Sequence, residues 1–119
     1  MIIHDAFDAL LMATLTTGTS GGETLTSEPI NITEPGGSEA ADLIITAPAA
    51  DQVLTLKLLA ADAPEGEYTE QLSWSTTAEE AFSYRGRLPK YCPQYIKLQV
   101  ETGSTAPSEP AAVTLRVAM

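Results

Sequence analysis

Short stretches in which apolar and polar residues alternate recur along this chain, broken by clusters of glycine, proline, serine, threonine and acidic residues. Alternation with period two marks a half-buried strand, because successive side chains leave opposite faces. In residues 53–60, VLTLKLLA, Leu54, Leu56 and Leu58 share one side, with Val53, Thr55, Lys57 and Leu59 on the other. Residues 82–88 set Phe82, Tyr84, Gly86 and Leu88 against Ser83, Arg85 and Arg87. Residues 95–100 oppose Ile96, Leu98 and Val100 to Tyr95, Lys97 and Gln99, and residues 112–118 turn Val113, Leu115 and Val117 inward with Arg116 outward. Residues 68–75 group Tyr68, Leu72 and Trp74 on one side, which makes Trp74 the expected core anchor. Residues 42–47, DLIITA, add a short β-branched run, and residues 25–33 add a strand with Ile30 and Ile32 in phase. Pro29 assigns that strand to an edge, because proline cannot donate to a ladder.

The beginning of the chain fits two patterns. Asp5 is placed to cap a short helix over residues 6–13, while Leu11, Ala13 and Leu15 equally form one face of a strand. The preferred reading is an extended arm, residues 1–8, leading into a first strand. Between the strands, residues 16–24, 34–41, 61–67 and 102–111 carry the turn-forming residues. Seven or eight short strands with neither an internal repeat nor a long amphipathic helix predict an all-β fold. The expectation is a single-domain antiparallel β-sandwich, or jelly roll, spanning residues 1–119.

Composition sharpens this picture. A chain of 119 residues that is 44% hydrophobic can bury a core of its own, so general disorder is not expected. Sixteen acids against six bases give a formal net charge of −10, and the imbalance is uneven. Residues 1–56 hold eight acids and neither lysine nor arginine. Residues 81–100 hold four of the six bases, Arg85, Arg87, Lys90 and Lys97, and no acid. The acidic half repels phosphate backbones and anionic lipid, so neither a nucleic acid nor a membrane is an expected partner. No stretch approaches the length of a membrane span, and the start lacks the basic region of a signal peptide, so synthesis in a reducing cytosol is expected. The single cysteine, Cys92, precludes an internal disulfide.

Candidate chemistry is sparse. Nucleophilic catalysis needs Cys92 or a serine beside a base, and the only histidine, His4, lies in the expected arm. Residues 18–22, GTSGG, lack the lysine and the following helix of a phosphate loop. The acids Asp62, Glu65 and Glu67 lack the ordered spacing of a calcium loop, and too few soft ligands exist for zinc. No catalytic residue, cofactor or metal is therefore assigned, and an enzyme is not expected. Two features remain. Tyr84, Tyr91 and Tyr95 offer a stacking platform for sugar rings, as in a carbohydrate-binding module, although tyrosines flanking a core edge with wet hydroxyls satisfy the same pattern. Arg85 and Arg87 present two guanidinium groups on one strand face, suited to an acidic partner.

The succession Tyr84, Arg85, Arg87, Pro89, Cys92, Tyr95 and Leu98, with a closing strand at residues 113–117, resembles the small cement, or decoration, proteins that clamp the capsids of tailed bacteriophages. The opening MIIHDAFDALLMATL and the later TLKLLAAD are similar to that family as well. The resemblance implies a non-enzymatic jelly-roll subunit that self-associates as a dimer or trimer. It further implies a virion location, on the outer capsid surface, bridging neighbouring major capsid proteins. The expected contact residues are Arg85, Arg87, Lys90 and Tyr91 at the basic corner. Ile2, Ile3 and Phe7 join them from the arm, where apolar side chains are poorly explained as a free terminus.

Overall fold

A computed structural model of the protein describes residues 12–18, 21–32, 42–87, 93–105 and 107–118. The expected arm at residues 1–8, with Ile2, Ile3, His4 and Phe7, and the corner residues Lys90, Tyr91 and Cys92 lie outside these. The described residues form nine strands and no helix: β1 (Met12–Thr16), β2 (Thr24–Thr26), β3 (Ile30–Asn31), β4 (Asp42–Ala47), β5 (Leu54–Ala61), β6 (Thr69–Ser75), β7 (Phe82–Arg87), β8 (Tyr95–Thr102) and β9 (Ala112–Ala118).

All pairings are antiparallel and build two sheets, one in the order β1-β9-β4-β7 and the other in the order β2-β8-β5-β6, with β3 also on β8. If β2 and β3 count as one interrupted strand, the chain is a long hairpin. First pairs with last (β1 and β9), second with next-to-last (β2–β3 and β8), then β4 with β7 and β5 with β6. Successive pairs fall in alternate sheets, and the pairs β4–β9 and β5–β8 knit the ribbon together. The predicted all-β sandwich is thus a jelly roll.

The alternation read from the sequence places the core. Leu54, Leu56 and Leu58 of β5 meet Leu43 and Ile45 of β4, Ile96, Leu98 and Val100 of β8, and Val113, Leu115 and Val117 of β9 in one buried cluster. Each of these is at most 1% exposed, as expected of inner faces that interdigitate across a sandwich.

One expected strand, residues 25–33, is two pieces. Ser27 interrupts the ladder: its N–H donates to the Leu98 carbonyl at 2.9 Å, while the Leu98 N–H donates to the Ser27 hydroxyl, also at 2.9 Å. The side chain thereby takes the place of a backbone acceptor, and Pro29 supplies no donor to resume pairing at once. The same reciprocal clasp recurs at the other buried hydroxyls. Thr17 exchanges bonds with Ala111 (3.0 and 2.9 Å), Thr76 with Leu54 (2.9 and 2.8 Å) and Thr102 with Glu23 (2.9 and 2.8 Å). Each clasp fastens a strand end where the regular ladder stops, so among the described residues no hydroxyl is buried without a partner.

A second departure from the sequence reading concerns β6. Its pairing with β5 slips between Leu58 and Leu59, so that Leu58 faces Leu72 but Leu59 faces Glu70. The extra residue, Gln71, reverses the phase, as a β-bulge does. Leu72 and Trp74 stay on the inner side, whereas Tyr68 turns to the outer face, where its ring lies under Lys97 Nζ at 4.3 Å from the centroid. Trp74 is not the core anchor that its size predicts. It is half-buried at the rim of the cluster, because β6 ends its sheet and nothing lies beyond it on that side among the described residues.

Candidate partner-binding face

Strand β7 ends the four-stranded sheet, and its half-buried side chains alternate with exposed ones as predicted. Arg85 and Arg87 project from the outer face with side chains 68% and 73% exposed. Two residues apart on an extended strand, they stand about 7 Å from each other. Asp42 of β4 lies directly opposite Arg87 and lends a carboxylate to both: Oδ2 is 3.5 Å from Arg85 Nη2 and Oδ1 is 4.0 Å from Arg87 Nε. Exposed pairs of this kind contribute little stability, on the order of 0–1 kcal/mol, so their effect is to hold the two guanidiniums side by side.

Register adds a third arginine that strand periodicity alone does not bring to this place. Ile44 pairs with Arg85 on one side and with Arg116 on the other, and Arg116 pairs with Met12. Arg85, Ile44, Arg116 and Met12 therefore form one row across β7, β4, β9 and β1, at about 4.8 Å per strand. Around it, Thr14, Thr16, Thr46, Ser83, Ala112 and Thr114 carry no charge. Three arginines and one aspartate on the described part of this face give it a local charge of +2 (3 − 1), against −10 for the whole chain. Met12, 47% exposed, supplies an apolar end to the row.

The other acids among the described residues lie off this face: Asp62, Glu65 and Glu67 are in the β5–β6 turn at the end of the sandwich where β7 stops, and Glu70 and Glu101 are on the opposite sheet. Glu23, Asp51, Glu79, Glu80 and Glu109 occupy the loops at the end of the sandwich where β7 begins, and those loops hold no lysine or arginine among the described residues. Arg87 lies five residues down β7 from that end, about 17 Å along the strand. That is about two Debye lengths at physiological ionic strength, so the field of those loops is largely screened at Arg87, while Arg85, about 10 Å from the same end, feels more of it. Within the acidic end, Asp51 accepts a hydrogen bond from the Ser108 N–H at 2.9 Å, and this bond holds its carboxyl below the usual aspartate value. No group of three or more metal-binding side chains occurs among the described residues.

The outer face of the other sheet is self-satisfied. Lys57 Nζ lies 2.7 Å from Glu101 Oε2, an otherwise unpartnered buried oxygen, and 3.6 Å from Glu70 Oε1. The Glu101 carboxylate draws the Lys57 pKa up, against the opposing effect of burial. Burial and the neighbouring Tyr95 raise the Tyr68 pKa. The tyrosines proposed as a sugar platform do not converge. Tyr84 turns inward from β7 and packs on Trp74, with ring centroids 4.8 Å apart and planes tilted by 47°, whereas Tyr95 is on the outer face of the opposite sheet, in register with Ala61. Tyr91 lies outside the described residues.

No protein-family model and no curated protein sequence matches this chain. Among solved structures, the PBSX exported protein XepA superposes with a TM-score of 0.68 at 13% identity, over 90% of this chain and 36% of XepA. The sandwich is shared. PirA superposes with a TM-score of 0.57 at 11% identity, over 91% of this chain and 94% of PirA. The chain spans little more than a third of XepA but nearly the whole of PirA. At these identities the likeness is one of fold.

Proposed function

We propose that this protein is a structural, non-enzymatic decoration protein of a tailed-phage virion, seated on the outer capsid surface and bridging neighbouring major capsid proteins. The observation that carries the reading is the cationic face of the sheet ending in β7, where Arg85, Arg87 and Arg116 gather on an otherwise acidic chain. Such a face supports docking on an acidic surface of the coat protein in one orientation. The sequence resemblance to capsid cement proteins and the likeness of fold to an exported PBSX protein point the same way. In this reading the subunit self-associates, and repeated copies of a modest contact around a shell add up through effective concentration. Lys90, Tyr91 and the arm residues Ile2, Ile3 and Phe7 belong to the proposed contact on sequence grounds.

The test is cosedimentation of the purified protein with undecorated capsids across a salt series, with its mass in solution measured alongside. Saturable binding that weakens as salt rises, and that is lost in the charge-reversed protein Arg85→Glu, Arg87→Glu, is the expected result. Undiminished capsid binding by the reversed protein refutes the electrostatic contact.

A further inference from the structure

We infer that the open edge of β7 takes an extended acidic segment of the capsid partner as an added strand; this rests on the capsid reading above and specifies its contact. Among the described residues β7 is paired on one side only, by β4. The other side of such a strand offers the N–H and C=O groups of alternate residues, a template for a further strand. The two faces of β7 state what that strand must look like.

On the outer face, residues of an added strand would run beside Arg85 and Arg87 at the inter-strand distance of about 4.8 Å. Directly opposed unlike charges stabilise a pair of strands and like charges destabilise it. Acids two positions apart are therefore favoured, and bases are disfavoured. The same rule disfavours a second copy's β7 as the occupant in the antiparallel registers centred on Arg85, Gly86 or Arg87, which set arginine beside arginine, and the register centred on Tyr84 leaves Arg85 beside Ser83 with no opposite charge. On the inner face, Phe82 and Tyr84 of β7 and Leu72 and Trp74 of β6 line the seam where the sheets part, and all four are only half-buried. Apolar residues at the alternate positions of an added strand would cover them. The pattern recognised is acid, apolar, acid, apolar in extended form, held by main-chain bonds with side chains reading the sequence.

Trp74 is the only tryptophan, so its emission reports occupancy of the seam directly. The probe is a capped nine-residue peptide alternating glutamate with valine and tyrosine, titrated into the full chain. Two further versions are N-methylated at alternate amides, one in each phase, and a fourth carries lysine for glutamate. The expectation is a saturable change in Trp74 emission with the acidic peptide and binding at least about tenfold weaker with the lysine peptide. A comparable loss should follow N-methylation in one phase only, because a strand pairs through alternate amides. The Arg85→Glu, Arg87→Glu protein should reverse the preference between glutamate and lysine peptides. Equal binding of both N-methylated peptides and the parent would overturn strand addition. So would Arg-dependent capsid binding that the acidic peptide neither reports through Trp74 nor competes with, an outcome that leaves the capsid reading standing. Peptide binding with the expected phase dependence, without any capsid binding, would retain the edge and remove the capsid as its source.

Discussion

The reciprocal clasp at Thr76 is a sharp test of how this sandwich is fastened. Thr76 is 8% exposed and Leu54 1% exposed, and the Leu54 N–H donates to the Thr76 hydroxyl at 2.8 Å. Thr76→Val keeps the shape and the Thr76 N–H bond to the Leu54 carbonyl, but leaves the Leu54 N–H buried without an acceptor. An orphaned buried donor costs about 1–3 kcal/mol. For a domain of this size that corresponds to a fall in Tm of about 4–12 °C, at about 4 °C per kcal/mol. Thr76→Ser keeps the acceptor and loses a single methyl, about 0.8 kcal/mol. Thermal denaturation ranks the two variants, and amide exchange assigns the cause: protection at Leu54 should drop in the valine variant and persist in the serine variant. If Thr76→Val is as stable as the parent, with the Leu54 amide equally protected, the clasp does not hold the strand end and the reasoning fails.

Two further outcomes follow from the site's surroundings. A Cβ at Gly86 would come 2.6 Å from Tyr84 Oη and 3.0 Å from Cζ, so Gly86→Ala must displace a ring that packs on Trp74; a loss of about 1–2 kcal/mol and a red shift of tryptophan emission are expected, and unchanged emission would contradict this packing. Lys57 titrates above its ordinary value of 10.5 when folded, chiefly through Glu101, so its contribution is whole below that value and disappears as pH rises through the higher folded value. Urea denaturation at several alkaline pH values should show stability falling in that window, with a shallower fall in Lys57→Met.

The strands that could be read from the sequence are those whose burial follows strict alternation. In β5, β8 and β9 the predicted inner residues are the buried ones, and Arg85 and Arg87 are exposed on β7 as expected. What stayed hidden depends on partners distant along the chain. The bulge that turns Tyr68 outward exists only in the pairing of β6 with β5, so counting by twos along residues 68–75 gave Tyr68 the wrong face. The clasp at Ser27 depends on Leu98, seventy-one residues away; Pro29 marks an edge locally, but not the exchange at Ser27 that makes the break. Arg116 was legible as an outward residue, but its place beside Arg85 requires Ile44 to lie between them, and strand order is not written in any one strand. The size of Trp74 pointed to the core, whereas its position on an edge strand decided its exposure.

The ribbon-like pairing also bears on how the chain reaches this structure. Met12 is in register with Arg116, a separation of 104 residues (116 − 12), and β9 lies between β1 and β4 in its sheet. During synthesis neither β1 nor the free side of β4 can find its neighbour until the last strand has left the ribosome. The β5–β6 hairpin, closed by its local turn, is the first pair able to form. Topologies dominated by such distant contacts fold on the millisecond to second scale, and loop closure is costly before the contacts repay it. A nascent chain stopped before β9 would leave β1 and one edge of β4 without their ladder partner, and would uncover the apolar inner face of the opposite sheet that Val113, Leu115 and Val117 cover. Aggregation of truncated chains is therefore the expected outcome.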